Sequence, residues 1–366
     1  MTERERQILS LIRDDPMMSQ QEIARQLGIS RSAVAGHIMN LTEKGHVKGR
    51  GYIFSDAPYV AVIGGANIDI HGSPAAKLRL HDSNPGTVLT SPGGVARNIA
   101  ENLVRLGVDS RLIAAVGDDP HGQLLLEHGR AAGIDIRNVL RLESAQTSTY
   151  LSMLDDRGDL HVGVSDMDII DHLGPERLRP HTAMLKQAEL IVVDTNLNED
   201  ALAYLTEELP DREFFVDTVS TTKAQRIRPF LSSVNTLKPS LIEAEALAGF
   251  EARTDGQLRG LANWFHNEGV KRLFITLGER GVYYSTENSQ GIEKLIPARS
   301  EIANAGGAGD AFMAGLAYSR LNQWPLLRSV RFSLSAASLA LAHEGTNNPA
   351  LNAAAVNRIY KSQYAS

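Results

Sequence analysis

The sequence predicts an α/β protein: a mainly parallel sheet covered by helices on both faces, with a small β-sheet attached and a small helical unit ahead of it. Three observations lead there. Apolar runs of strand length recur along the chain and alternate with helix-length segments, the order that builds parallel sheets. Residues 71–90 and 147–164 instead alternate apolar and polar, as half-exposed strands do. The first 55 residues carry three short helical patterns and then a basic stretch.

Composition bounds the reading. A chain of 366 residues exceeds one small core, so one large domain plus a small one is expected. No run approaches the roughly 18 uninterrupted apolar residues that span a bilayer, and the start Met1–Arg6 lacks the apolar segment of a signal peptide. A cytoplasmic protein with no membrane partner is expected. The absence of cysteine excludes disulfides and thiolate chemistry. A net charge of −6 argues against nucleic-acid binding by the whole surface, but residues 1–55 carry eight Lys/Arg against six Asp/Glu while the remainder carries 29 against 37. The N-terminal segment can therefore have a partner of its own.

In that segment Ile8, Leu9, Leu11 and Ile12 form an apolar helical face that Pro16 ends. Ser19 with Glu22 reads as a capping box, Ile23, Ala24 and Leu27 continue the face, and Gly28 closes the helix. Ser30 caps a third helix with Val34, Ile38 and Leu41 inward and Arg31, Ser32, Ala35 and His37 outward. Residues 44–54 read as a basic two-stranded hairpin with Lys48 and Arg50 placed for phosphates. The order resembles a winged helix-turn-helix domain of bacterial regulators over residues 1–55. That likeness implies DNA binding through Arg31, Lys48 and Arg50; a helical packing or dimerisation module is the other reading.

Residues 55–58 are a short polar linker. Beyond it, Tyr59–Gly64, Arg111–Gly117, Glu189–Asp194, Phe214–Asp217 and Arg272–Thr276 read as buried strands, with helices over 94–106 and 198–208. The small sheet over 71–90 and 147–164 is placed to close as a lid, and its exposed edge favours a homodimer.

Three polar clusters punctuate this frame. In Asn304–Gly315, small residues place Asp310 at a helix start, where inward backbone N–H groups and the helix dipole can hold an anion. A hydroxyl there can lose its proton to Asp310 while the transferred phosphoryl charge falls on the N–H groups; a tight turn before a buried helix is the plainer alternative. Gly93 and Gly94 bring backbone close to a ligand at a helix entrance, and Asn98 one turn on has an amide for hydroxyls. Asn67 and Asp69 follow the first strand, where open α/β sheets bind ligands.

Gly93-Gly94 with Asn98, and Gly307–Asp310 over two hundred residues later, resemble the two signatures of the ribokinase-like (PfkB) carbohydrate and nucleoside kinases across about residues 57–355. Within that family Ala66–Asp69, Asp82–Gly86, Pro92–Asn102, Thr147–Leu154, Asp166–Asp168 and Thr346–Pro349 are similar to the bacterial pseudouridine kinases. The resemblance implies a three-layer α/β/α kinase domain over 57–366 with a β lid. It implies transfer of the ATP γ-phosphate to a nucleoside 5′-hydroxyl, pseudouridine foremost, with Asp310 as base and Gly307, Ala308 and Gly309 as anion hole. Asn67, Asp69, Gly93, Gly94, Asn98, Thr149 and Asp166 are the implied substrate residues. Thr276, Gly278, Gly281, Gly307, Gly309 and Asn347 are the implied ATP residues, and Glu243 acts on Mg2+ through water. A monovalent cation such as K+ is a further implied ligand.

The chain departs from the family pattern at Asn304, where an aspartate is usual, at Ala305 and Gly306, which lack the threonine hydroxyls usual there, and at Ser240, which replaces an asparagine in Lys238–Glu243. Two other functions fit the same residues: a kinase for another nucleoside, such as inosine or uridine, or for a sugar; and a nucleoside-sensing transcriptional regulator.

Overall fold

In the computed structural model, residues 1–16, 18–47, 58–156, 160–297 and 306–364 are described. They fall into two compact units, Met1–Pro58 with Ala183–Gln187, and Tyr59–Thr182 with Ala188–Ser366.

In the first unit, α1 (Glu3–Asp14) opens on a capping box between Thr2 and Glu5, and α2 (Gln20–Leu27) on the expected one between Ser19 and Glu22. Gly28, at φ +66°, ends α2. The Ser30 side chain accepts from the Ala33 N–H to start α3 (Arg31–Glu43). Ile8, Ile12, Ile23, Val34, Ile38 and Leu41 meet in one apolar core with Val47. Arg31 and Ser32 are exposed, whereas Ala35 and His37 are half-buried. Glu5 is buried within the unit, and the Lys44 amine 2.8 Å away balances its charge. Lys48, Arg50 and the remainder of the expected hairpin lie outside the described residues.

The strands of the second unit are β1 (Tyr59–Ile63), β2 (Asn67–Pro74), β3 (Gly86–Gly93), β4 (Asp109–Ile113), β5 (Ala115–Gly117), β6 (Leu140–Leu142), β7 (Thr149–Leu154) and β8 (Leu160–Asp166), followed by β9 (Leu190–Asp194), β10 (Phe214–Asp217), β11 (Val234–Lys238), β12 (Arg272–Thr276), β13 (Val282–Thr286) and β14 (Ser289–Glu293). The main sheet has eight strands in the order β14-β13-β12-β11-β10-β9-β1-β4. It is parallel from β4 to β12 and antiparallel over its last two strands. Val60, Val62, Leu190 and Val192 pack with Ile99, Leu103, Phe312 and Phe332 from helices on one face. Ala61, Ile63, Ile191 and Val193 point the other way by strand alternation and are as deeply buried, so both faces are covered.

One strand expectation is corrected. Arg111–Gly117 is not a single strand: the chain leaves the main sheet after Ile113, and β5 pairs with β6 in a separate two-stranded sheet. Residues 112–116 are all buried, so hydrophobicity carries no mark of the change; the Ala114 carbonyl, accepting from the Leu140 N–H at 2.8 Å, makes it.

The lid is a four-stranded sheet in the order β3-β2-β7-β8. It begins earlier than the alternation suggests, at Asn67, and residues 75–85 join its first two strands without strand structure. Asn67 and Asp69 therefore sit in the first strand of the lid, opposite Gly93 and Ser91.

Candidate active site

The helix Ala308–Leu321 begins at Gly307, whose φ of +77° and lack of a side chain are both required, because a Cβ there would collide with the Thr346 carbonyl. Behind its first turn, Ala311 to Ala317 are all buried, and Gly315 packs against Ser333 of the next helix. The N-terminal N–H groups and Asp310, 7% exposed, are thus held on a rigid element. Asn304 and Ala305 lie outside the described residues.

Asp310 sits among charges from other strands. The Asn98 amide, on α4 (Val95–Arg105), donates to Asp310 Oδ2 at 2.9 Å. Lys238, at the end of β11, places its amine beside Gly309 and 2.7 Å from Asp217 Oδ2, at the end of β10. Burial pushes Asp310 up to about 7, and the Asp217 charge adds to it, while Lys238 and the Asn98 hydrogen bond pull the other way. Burial also works against the Lys238 charge, but Asp217 outweighs it and holds the ammonium above the ordinary lysine value. The result is a carboxylate poised near neutrality beside a fixed cation and a row of N–H groups.

Asp194, at the end of β9 and fully buried, accepts from the Gly65, Ala96 and Asn196 N–H groups, each at 2.9 Å. It ties the turn after β1 to the first turn of α4. Burial raises it to about 6 despite those bonds. Gly93 lies against Asp69, which accepts from the Asn67 amide at 2.7 Å and is raised by burial. Asn67, Asp69 and Gly93 thus form one cluster, Gly94 opens α4, and Asn98 one turn on reaches Asp310.

Thr149 and Asp166 are not gathered with them. Thr149 pairs with Ile68 and Asp166, and Asp69 pairs with Tyr150, so strand alternation puts Thr149 and Asp166 on the opposite face of the lid from Asp69. There they line a cavity of about 560 Å³ with Asp119, His121, Gln146, Leu151 and Val164. A cavity of about 910 Å³ between Asn263, His266 and Gln290 lies at the ends of β12 and β13 away from Thr276 and is lined by none of the expected site residues.

The implied nucleotide side is built by two adjoining turns. The Thr276 N–H donates to the Pro239 carbonyl at 2.9 Å, and Gly278–Arg280 form a short helical turn that Gly281 closes. Glu243 reaches back to the Ser240 N–H at 2.8 Å and accepts from the Thr218 hydroxyl at 2.6 Å. Asn347 spends its amide N–H on the Asn98 carbonyl at 3.0 Å, clamping the loop over Gly307 to α4.

Lys238, Asp217, Asp194 and Arg97 escaped the reading of the sequence as site residues. A signal existed for three of them: each is the last residue of a buried strand, at the carboxyl edge where open sheets bind ligands. Arg97 carried none beyond its place next to Asn98.

Comparison with known proteins identifies the family and the fold. The sequence profile for "pfkB family carbohydrate kinase" matches residues 57–353, and that for "Winged helix-turn-helix DNA-binding" matches residues 1–48. The chain is 39% identical over 356 residues to a protein of Escherichia coli K12 described as "Uncharacterized sugar kinase YeiI", covering 96% of this chain and 97% of that one. It is 40% identical over 298 residues to the E. coli K12 "Pseudouridine kinase", covering 81% of this chain and 95% of that one. Among solved structures, Arabidopsis thaliana ribokinase complexed with ribose and ATP superposes with a TM-score of 0.76 at 21% identity, over 83% of this chain and 99% of that one. The fold is therefore ribokinase-like, and the chain belongs to the pfkB family of carbohydrate kinases, with an N-terminal winged helix-turn-helix domain.

Proposed function

We propose that this kinase transfers the γ-phosphoryl group of ATP to the 5′-hydroxyl of a nucleoside, with pseudouridine its preferred acceptor. The observation that carries the reading is Asp310 at the mouth of the Gly307–Gly309 turn, a proton acceptor poised near neutrality beside N–H groups and the Lys238 amine. As the 5′-oxygen attacks phosphorus and the bond to the departing ADP oxygen breaks, Asp310 takes the hydroxyl proton. The developing charge falls on the Gly307, Ala308 and Gly309 N–H groups and on Lys238. Asp69 and Asn67 hold the ribose, and Thr276, Gly278, Gly281 and Asn347 shape the nucleotide side. The relative described as a pseudouridine kinase supports the choice of acceptor.

Magnesium fits the residues present. Glu243 and the Thr218 hydroxyl adjoin the buried Ser240 hydroxyl, which lacks a hydrogen-bond partner among the described residues, and this oxygen-rich corner suits a hydrated divalent cation. Bound there, Mg2+ supplies neutralisation of phosphate charge. The K+ expectation turns on residues 304–306, of which 304 and 305 lie outside the described residues.

A nucleoside panel with ATP and magnesium tests this function. Pseudouridine is expected to give the highest kcat/KM. Ribonucleosides should exceed their 2′-deoxy forms by about 10- to 100-fold, because a missing hydroxyl leaves buried polar groups unpaired. Equal rates for both would take Asp69 off the ribose, and a preference for a free sugar would change the substrate class.

The N-terminal unit is proposed to bind DNA, with the exposed Arg31 of α3 reaching a base edge or phosphate and Lys48 and Arg50 on the backbone. A small net charge binds weakly in one copy, so the functional form is proposed to be a homodimer. The lid supports this, since Val88, Val162 and Val164 share one face of it, are each more than half exposed, and would be covered by a second copy. Binding to a cognate duplex should weaken steeply with salt, and Lys48→Ala with Arg50→Ala should flatten the slope while kinase turnover is unchanged. If no duplex binds above background at low salt, the unit is an accessory module. Gel shifts with and without nucleoside, beside turnover assays, separate a DNA-binding kinase from a sensor that does not turn over.

A further inference from the structure

Asn98 is expected from its motif to hold a substrate hydroxyl, yet both ends of its amide are already engaged. Nδ2 donates to Asp310 Oδ2 at 2.9 Å, and Oδ1 accepts from the Arg97 guanidinium at 3.0 Å. Asn98 and Arg97 are each 3% exposed, so neither bond competes with bulk water. The guanidinium is costly to bury and is compensated: it pairs with Glu101, which Arg105 also holds at 2.8 Å through its Nε, and Arg105 in turn donates to the Pro349 carbonyl. Beyond that pair the guanidinium donates to the Pro92 carbonyl at 3.4 Å and to Asn98, and its charge acts on Asp69. Of these contacts, the one at Asn98 leads to Asp310.

We propose that Arg97 is a positioning residue for phosphoryl transfer, holding the Asn98 amide in the one orientation that presents an N–H to Asp310. This rests on the reading of Asp310 as the base. If the amide turned over, its NH2 would face the guanidinium, donor against donor, and its oxygen would face the Asp310 carboxylate, acceptor against acceptor. Without Arg97 only the second conflict opposes the flip, and a protonated Asp310 removes even that one, since its O–H can donate to the flipped oxygen. Arg97 therefore biases the pair toward ionised Asp310, with Oδ2 pinned and Oδ1 left for the acceptor hydroxyl. The other charges facing Asp310 are Asp217 and Asp194, which oppose ionisation, and Lys238, which favours it.

The test is the pH profile of kcat/KM at saturating ATP, with the best acceptor of the nucleoside panel. Arg97→Leu is expected to move the acid limb up by about one pH unit, a roughly tenfold loss of kcat/KM below it, with the alkaline plateau within about threefold of the parent. Arg97→Gln keeps a neutral donor of similar reach and should return the acid limb most of the way to the parent position; it also serves as the working variant if Arg97→Leu fails to melt cooperatively. In an Asn98→Ala background, either Arg97 substitution should add no further shift, because the effect runs through that amide. An unmoved acid limb in a folded Arg97 variant overturns the proposal, as does a shift of equal size in the Asn98→Ala background. If Asp310→Asn retains turnover, the base assignment has failed instead, so the two failures are distinguishable.

Discussion

Asp310→Asn is expected to lower turnover by about two to four orders of magnitude while nucleoside binding survives, because the amide keeps the shape but cannot accept the hydroxyl proton. A variant with near-normal turnover would sink the assignment. In the parent enzyme the raised position of Asp310, about 7, makes kcat/KM climb as pH rises through that value and level off above it. Stability runs the opposite way. The unfolded carboxyl ionises near pH 4, so between roughly pH 4 and 7 the folded protein holds a proton that the unfolded chain has released, and stability falls as pH rises through that window. Above it the folded state carries a buried charge that Asp310→Asn deletes. The variant should therefore melt at least as high as the parent at pH 8, which separates lost chemistry from lost fold. Removing a group that function requires and stability does not is a common trade-off at active sites.

Lys238→Met is expected to cost about 100- to 1,000-fold in turnover, the range seen when one preorganised stabiliser of transition-state charge is removed. The amine is 7% exposed and lies beside Gly309, where it is held close to the developing phosphoryl charge. The same change leaves Asp217 buried without the partner now 2.7 Å away. Breaking a buried pair from one side destabilises by about 3–5 kcal/mol, whereas replacing both members is far milder. Lys238→Met with Asp217→Asn should thus recover most of the lost melting temperature and little of the turnover. The Asp217→Asn change alone should move the acid limb down, since the Asp217 charge is part of what raises Asp310. Turnover recovering in parallel with stability in the double variant would reduce Lys238 to a structural role.

Much of the frame was legible because it is local. The Ser19–Glu22 capping box, the Gly28 stop and the inward Val34, Ile38 and Leu41 stand where period and capping chemistry put them. The buried strands ending at Asp194, Asp217 and Thr276 were found as apolar runs. The split after Ile113 was not, since a continuous apolar run does not say which sheet its backbone joins. The start of the lid at Asn67 was missed for a related reason: Asn67 and Ile68 are both buried, so no alternation of buried and exposed positions marks it. Thr149 and Asp166 entered the expected substrate set by motif, and only the register of β7 on β2 shows that they face away from Asp69.

By itself the sequence determined the apolar strands that end at Asp194, Asp217 and Thr276 and the Gly307–Asp310 turn at the head of a helix, because backbone sterics and hydrophobic period act over a few residues. It also marked Asp310 as a carboxylate near N–H groups. What state that carboxylate is in was decided only by tertiary structure. Asn98 reaches it from 212 residues away, Asp217 and Lys238 arrive on separate strands, and Arg97 acts through a neighbour. Proton affinity depends on burial and on charges within a few ångströms, and no separation along the chain records those distances.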